Sequence, residues 1–179
     1  MRMLKAVLTS AVIALGLGGA GAANALTLLP GPGCDIGQLT TSTACAGTFA
    51  GNDANQSLDG LFGVDGWTEL AKVDSDSGTG GILTVTGGGT SGSWSVSGWD
   101  GLTRVMAVLK GGPSFSAYLL DLGSTGGSWT TAGLARGNGQ AGPGLSHFTL
   151  YAAPIPLPAG GVLLLTALGG LALARRRKA

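Results

Sequence analysis

Few side chains in this sequence have the chemistry to catalyse a reaction. His147 is the sole histidine, so a Ser-His-Asp hydrolase would have to use it. No G-x-S-x-G elbow exists to present a serine to it. Along the alternating stretch from Leu145 to Tyr151, His147 shares a face with Thr149 and Tyr151, opposite Phe148 and Leu150. Period-two alternation predicts that the polar face meets solvent. Glu69 is the one glutamate beside eight aspartates, and a carboxylate pair for glycoside hydrolysis is defined by a separation that spacing does not supply. The glycine-rich runs lack the G-K-[ST] ending that cradles phosphate. The expectation is a protein that is not an enzyme, with no catalytic residue and no cofactor.

Two acidic segments invite a metal reading. Asp53, Asn55, Ser57 and Asp59 place oxygen ligands at alternate loop positions, a spacing that can wrap a calcium ion. The EF-hand pattern fails, because Leu58 stands where glycine is needed and no acid closes the loop. Asp74-Ser75-Asp76-Ser77-Gly78 is a similar half-motif. Turn capping by Asx side chains explains both equally well. Asp53, Asn55 and Asp59 thus stand as a calcium candidate beside that reading, and no other metal set is expected. Trp67 and Trp99 are candidates for stacking on sugar rings, since an aromatic face buries apolar C–H surface while hydroxyls bond elsewhere. Trp94 and Trp129 are expected in the core.

The elements that must position these residues read as strands. Glycine contributes 35 of 179 residues, without the period of three that collagen needs. Segments 82–86, 93–97, 102–109, 115–121, 129–132, 145–152 and 67–73 are short, β-rich and bounded by turn residues. The run Val105-Met106-Ala107-Val108-Leu109 is apolar throughout, as a strand covered on both faces should be. Gly92-Ser93-Trp94 and Gly127-Ser128-Trp129 echo each other, which suggests two strands with similar roles rather than a solenoid. The predicted fold is all-β, a single antiparallel β-sandwich or jelly-roll-like domain over residues 26–154.

The ends read as addresses. Arg2 and Lys5 precede the apolar run Ala6 to Leu17, and Ala23-Asn24-Ala25 fits a signal-peptide cleavage site, so residues 1–25 are expected to be removed. A retained N-terminal anchor is the alternative. At the other end, residues 160–174 are uncharged and would rise ~22 Å as a helix, short of the ~30 Å hydrocarbon core. Arg175, Arg176, Arg177 and Lys178 follow as a stop-transfer flank that would stay cytoplasmic. Composition alone allows an ordinary tail anchor or a temporary one. All nine acidic residues lie between Asp35 and Asp121, with only Lys72, Arg104, Lys110 and Arg136 among or near them. The exported middle is therefore net acidic, which argues against a nucleic-acid partner. Cys34 and Cys45 are the only cysteines; in an exported chain they are expected to form a disulfide, against free thiols or an intermolecular bond.

Ile155-Pro156-Leu157-Pro158-Ala159, a short glycine-containing apolar helix and a terminal basic cluster, in that order, resemble the VPLPA variant of the PEP-CTERM sorting signal, with isoleucine for its usual valine. The segments Gly51-Asn52-Asp53, Leu109 to Leu119 and Leu145 to Tyr151 are similar to those of many uncharacterised PEP-CTERM proteins. The resemblance implies a Gram-negative host and processing by an exosortase, an inner-membrane cysteine transpeptidase-like enzyme. The inner membrane would hold the chain transiently, with its C-terminus cytoplasmic, before it reaches the envelope, the cell surface or the medium. Exopolysaccharide is a further expected partner. The functional expectation is a structural or adhesive component of the envelope or extracellular matrix. A carbohydrate-binding module for exopolysaccharide is the alternative, and a secreted hydrolase a third.

Overall fold

The computed structural model describes residues 25–30, 33–136, 142–155 and 167. The expected signal peptide up to Asn24, the expected sorting-motif residues Pro156 to Ala159, the apolar segment 160–174 (save Ala167) and Arg175 to Lys178 lie outside the described residues. Ile155 is exposed.

The fold is all-β. Nine strands run β1 (Ser42–Ala50), β2 (Thr68–Val73), β3 (Gly78–Gly80), β4 (Leu83–Gly88), β5 (Ser91–Val96), β6 (Val105–Gly111), β7 (Ser114–Leu120), β8 (Gly126–Thr130) and β9 (Leu145–Ala152). They form a five-stranded sheet ordered β1-β7-β6-β9-β2 and a four-stranded sheet ordered β3-β4-β5-β8, with each neighbouring pair antiparallel. The seven expected strands are present, with boundaries moved by a few residues. β1 and β3 are additions. β1 carries cysteine, glycine and alanine where a strand pattern would show β-branched residues, and β3 is three residues long.

The five-stranded sheet is covered on both sides. Between the sheets lies a core of Val73, Val85, Trp94, Val105, Ala107, Leu109, Tyr118, Trp129, Phe148 and Leu150, among others. On the far face, Phe49, Met106, Val108, Phe115, Ala117 and Tyr151 form a second cluster with Leu58, which belongs to the loop between β1 and β2. β6 sits at the centre of the sheet and is buried along its whole length, as its unbroken apolar run predicts.

The echo between β5 and β8 has a geometric cause. The two strands are neighbours, and their register sets Trp94 opposite Gly127 and Trp129 opposite Gly92. Each indole therefore faces a position with no side chain. Both rings are buried, at 3% and 2% exposure, as expected. The space is fully used: a Cβ at Gly87 would stand 2.5 Å from Cζ2 of Trp129.

Cys34 and Cys45 form a disulfide across a sequence separation of 11. It fastens the 3₁₀ turn Ile36–Gln38 to β1. Asp35 caps that turn, accepting from the Gly37 amide at 2.7 Å, while Gln38 reaches back to the Asp35 amide at 3.0 Å. Leu39 then bridges to Trp129 on β8 before the chain crosses into the other sheet as β1. This crossing ties the two layers together.

Neighbouring glycines test the packing argument. Gly87→Ala should lower stability in urea unfolding by about 1–3 kcal/mol, the usual cost of overpacking. Gly88→Ala, whose Cβ would meet nothing within 4 Å, should change it by less than about 0.5 kcal/mol. Equal effects at both positions would contradict the account.

Candidate functional site

The polar face of β9 does not meet water. His147, Thr149 and Tyr151 do share one face, but that face is roofed by the loop between β1 and β2, and His147 is only 6% exposed. The solvent expectation fails because alternation records a change in side-chain polarity and does not report what lies above the polar side. Here the cover is a loop carrying its own carboxylate.

That carboxylate is Asp53. Asn52 starts the 3₁₀ turn Asp53–Asn55 by accepting from the Ala54 amide at 3.2 Å. The turn directs Asp53 down onto the sheet, where it is 2% exposed. One carboxylate oxygen lies 2.7 Å from Nε2 of His147, and the other accepts from the Tyr151 hydroxyl at 2.8 Å. An ionised carboxylate only accepts, so Nε2 carries the proton in this bond. Burial by itself would raise the Asp53 pKa; the bonds from His147 and Tyr151 outweigh it and hold the carboxyl below its ordinary value. Burial, reinforced by the Asp53 charge, pushes the Tyr151 phenol well above its usual range, so it stays a donor. Lys110 lies beside His147 in the strand register and is also buried, with its ammonium donating to the Gly112 carbonyl. Desolvation lowers its pKa, and Asp53 partly offsets that.

This trio is suited to holding rather than reacting. Both oxygens of Asp53 are engaged by donors, which makes it a weak base and a weak nucleophile. The hydroxyl in the cluster belongs to a tyrosine that gives its proton to the carboxylate, not to a serine poised on the imidazole. The calcium candidate comes apart in the same way. Asp53 points inward, Asn55 is exposed, and Asp59 caps the loop, accepting from the Gly66 amide at 2.7 Å and from Ser57 Oγ at 2.8 Å. The second half-motif is a bend in which the Ser77 amide donates to Ser75 Oγ at 3.2 Å, and Asp76 accepts from the amide of Gly89, between β4 and β5, at 2.6 Å. No metal-sized group of His, Cys, Asp and Glu occurs among the described residues.

The two tryptophans proposed for sugars part company. Trp99 lies in a loop, yet its ring is half-buried, 6.4 Å from that of Trp94, and its Nε1 donates to the Ser124 carbonyl at 2.7 Å. It leans on the inter-sheet core instead of presenting a free face. Trp67, likewise half-buried and packed against the far-face cluster, also lines an open cleft of about 380 Å³, with Asp59, Glu69, Gln56, Ser57 and Tyr151. Its Nε1 donates to the Leu61 carbonyl at 3.3 Å, which fixes the ring against the loop. Asp53 lies at the base of this cleft, so the buried trio anchors the loop that forms one wall.

The anchor has a pH signature. Asp53 titrates below the ordinary aspartate value of 3.8 in the folded chain. Its stabilisation is therefore complete above about pH 4 and is lost as pH falls through the lower folded value. Asp53→Asn should cost roughly 1–3 kcal/mol at neutral pH, the range for losing hydrogen bonds to a buried charged group. It should also flatten the acid limb of stability against pH in chemical denaturation. A variant as stable as the native chain, with the same acid limb, would refute the anchoring role.

Compared with protein-family models, with curated proteins and with solved structures, the chain matches none.

Proposed function

We propose that this chain is an exported protein, sorted by an exosortase-type enzyme at the inner membrane and delivered to the envelope or the extracellular matrix. There it serves as a structural or adhesive component. The observation that carries the reading is the Cys34–Cys45 disulfide. Disulfides persist in oxidising compartments outside the cytoplasm, and here both cysteines of the chain are committed to one. The leader-like residues 1–25 and the Pro-Leu-Pro-Ala signal with its basic tail support the same route.

The polar interior supports a structural rather than a catalytic role. Asp53, His147 and Tyr151, the residues most like catalytic machinery, bind one another at 2.7 and 2.8 Å and so join a loop to a sheet. β9 ends at Ala152, and Ala153 is still fastened by its amide to the Arg104 carbonyl at 3.0 Å. The proposed sorting signal thus begins within a few residues of the folded domain. In this reading the sandwich stands close to the membrane until it is released.

Intact mass of the protein from membrane and medium fractions of its native host tests the route. The expected product has lost both ends, with cuts near Ala25 and close to Pro158. A steady-state form that keeps Arg175 to Lys178 would contradict sorting and mean a permanent anchor.

A further inference from the structure

We propose that the cleft at Trp67 binds a neutral or N-acetylated sugar of an extracellular polysaccharide, so that this cleft is the adhesive site of the protein. The proposal names the partner of the adhesive reading and rests on it only for the source of the sugar. The binding chemistry follows from the cleft itself.

Three properties suit a sugar ring. The volume, about 380 Å³, lies in the range of small-molecule sites. The wall is aromatic: Trp67 and Tyr151 both line the cleft, and neither has a free polar tip there. The Trp67 indole N–H is engaged by the Leu61 carbonyl and the Tyr151 hydroxyl by Asp53. Tyr151 is buried and backs the cleft, while the half-buried Trp67 offers a ligand the open part of its apolar ring, held in one orientation before binding, which lowers the entropy lost on association. The rim supplies acceptors. Glu69, exposed on β2, and the exposed carboxylate of Asp59 stand at its edge. Apolar faces flanked by hydrogen-bonding groups match a pyranose, whose C–H faces stack while its hydroxyls donate outward.

The charge of the rim selects among sugars. The Gly66 amide and Ser57 hold the Asp59 carboxyl below its usual pKa, so it is anionic at neutral pH. With Glu69 it gives the cleft an acidic edge that repels uronic acids, sulfated sugars and phosphate. The same ionisation withholds the proton that a glycosidase acid must carry. The site binds a glycan and leaves it intact.

The test titrates the full chain, in a detergent without sugar head groups, with a neutral β-glucan hexasaccharide, an N-acetylglucosamine hexasaccharide and a polyuronate hexasaccharide, following tryptophan fluorescence and calorimetry. Saturable binding of one or both of the first two, weaker binding of the polyuronate and unchanged oligosaccharide length are expected. Trp67→Ala should weaken binding by about tenfold or more, as loss of an aromatic anchor does, while Trp99→Phe should leave it unchanged. Glu69→Ala alters an exposed side chain; it should keep the fold and weaken the affinity by at least about threefold. Absence of saturable binding by both neutral oligomers, preference for the polyuronate, shortening of the oligomers, or native affinity in Glu69→Ala would each overturn the proposal. Because these titrations are independent of cellular location, their failure leaves the export route to be judged by the mass of the mature chain.

Discussion

A buried carboxylate shared between an imidazole and a phenol governs the outer half of this molecule. A five-stranded sheet with Met106, Val108, Phe115 and Ala117 on its far face is unstable in water unless something covers that face. The four-stranded sheet covers the other side, so the cover here has to be a loop. Loops are poor covers, since their backbone groups seek water and their apolar side chains are few. The loop between β1 and β2 brings Leu58, Leu61 and Phe62 to the task, and Asp53 fixes them in place. Two charge-assisted hydrogen bonds in a dry setting hold more firmly than the same bonds would at the surface. Lys110 shares this interior, and the negative charge of Asp53 partly offsets the desolvation that lowers its pKa. Remove the carboxylate and the roof loses its fastening to the sheet; the wall of the Trp67 cleft goes with it.

The inner half follows a different constraint, the fit of two indoles between two sheets. Trp94 and Trp129 lie on adjacent strands, each opposite a glycine, so the bulk of one strand is matched by an absence of bulk in the other. Trp94 also meets Phe148 of the opposite sheet, with ring centroids 6.0 Å apart. That contact joins the inner core to β9, the strand whose other face carries His147 and Tyr151. β9 is therefore where the two halves meet. An aromatic contact fixes one side and a hydrogen-bonded clasp the other.

Much of this architecture is legible in the residues. The alternation of β5 and β9, the apolar run of β6 and the glycine-bounded turns identify strands, because side-chain periodicity is a local property. The disulfide follows from two cysteines and an exported reading. β1 is harder to see, since its small residues carry no strand pattern and it is held by pairing with β7. The clasp is a long-range product: Asp53 and His147 are 94 positions apart, and neither local pattern signals the other. Asp53 looks like a calcium ligand or turn cap, and His147 looks like a surface residue. A hint is nevertheless present. If β6 is apolar on both faces, the sheet around it is covered on both faces, and the polar side of a neighbouring strand must then find a buried partner. The candidate cleft is less legible still. Trp67 and Trp99 have equal standing in the sequence, and only packing separates the ring that lines an opening from the ring that leans on the core.

The central claim is that the roof loop belongs to the same cooperative unit as the sheet beneath it and is not a flap that opens on its own. Native-state hydrogen exchange at neutral pH tests this most directly, by comparing loop amides with those at the sheet centre. The amides of Asn55, Gln56, Leu61 and Val64, each bonded within the loop, should exchange in the slow class that includes Met106 and Val108 of β6. Loop amides that exchange about a hundredfold faster, with β6 still protected, would show that the loop opens independently, and the clasp would then not be the interaction that holds the outer half together.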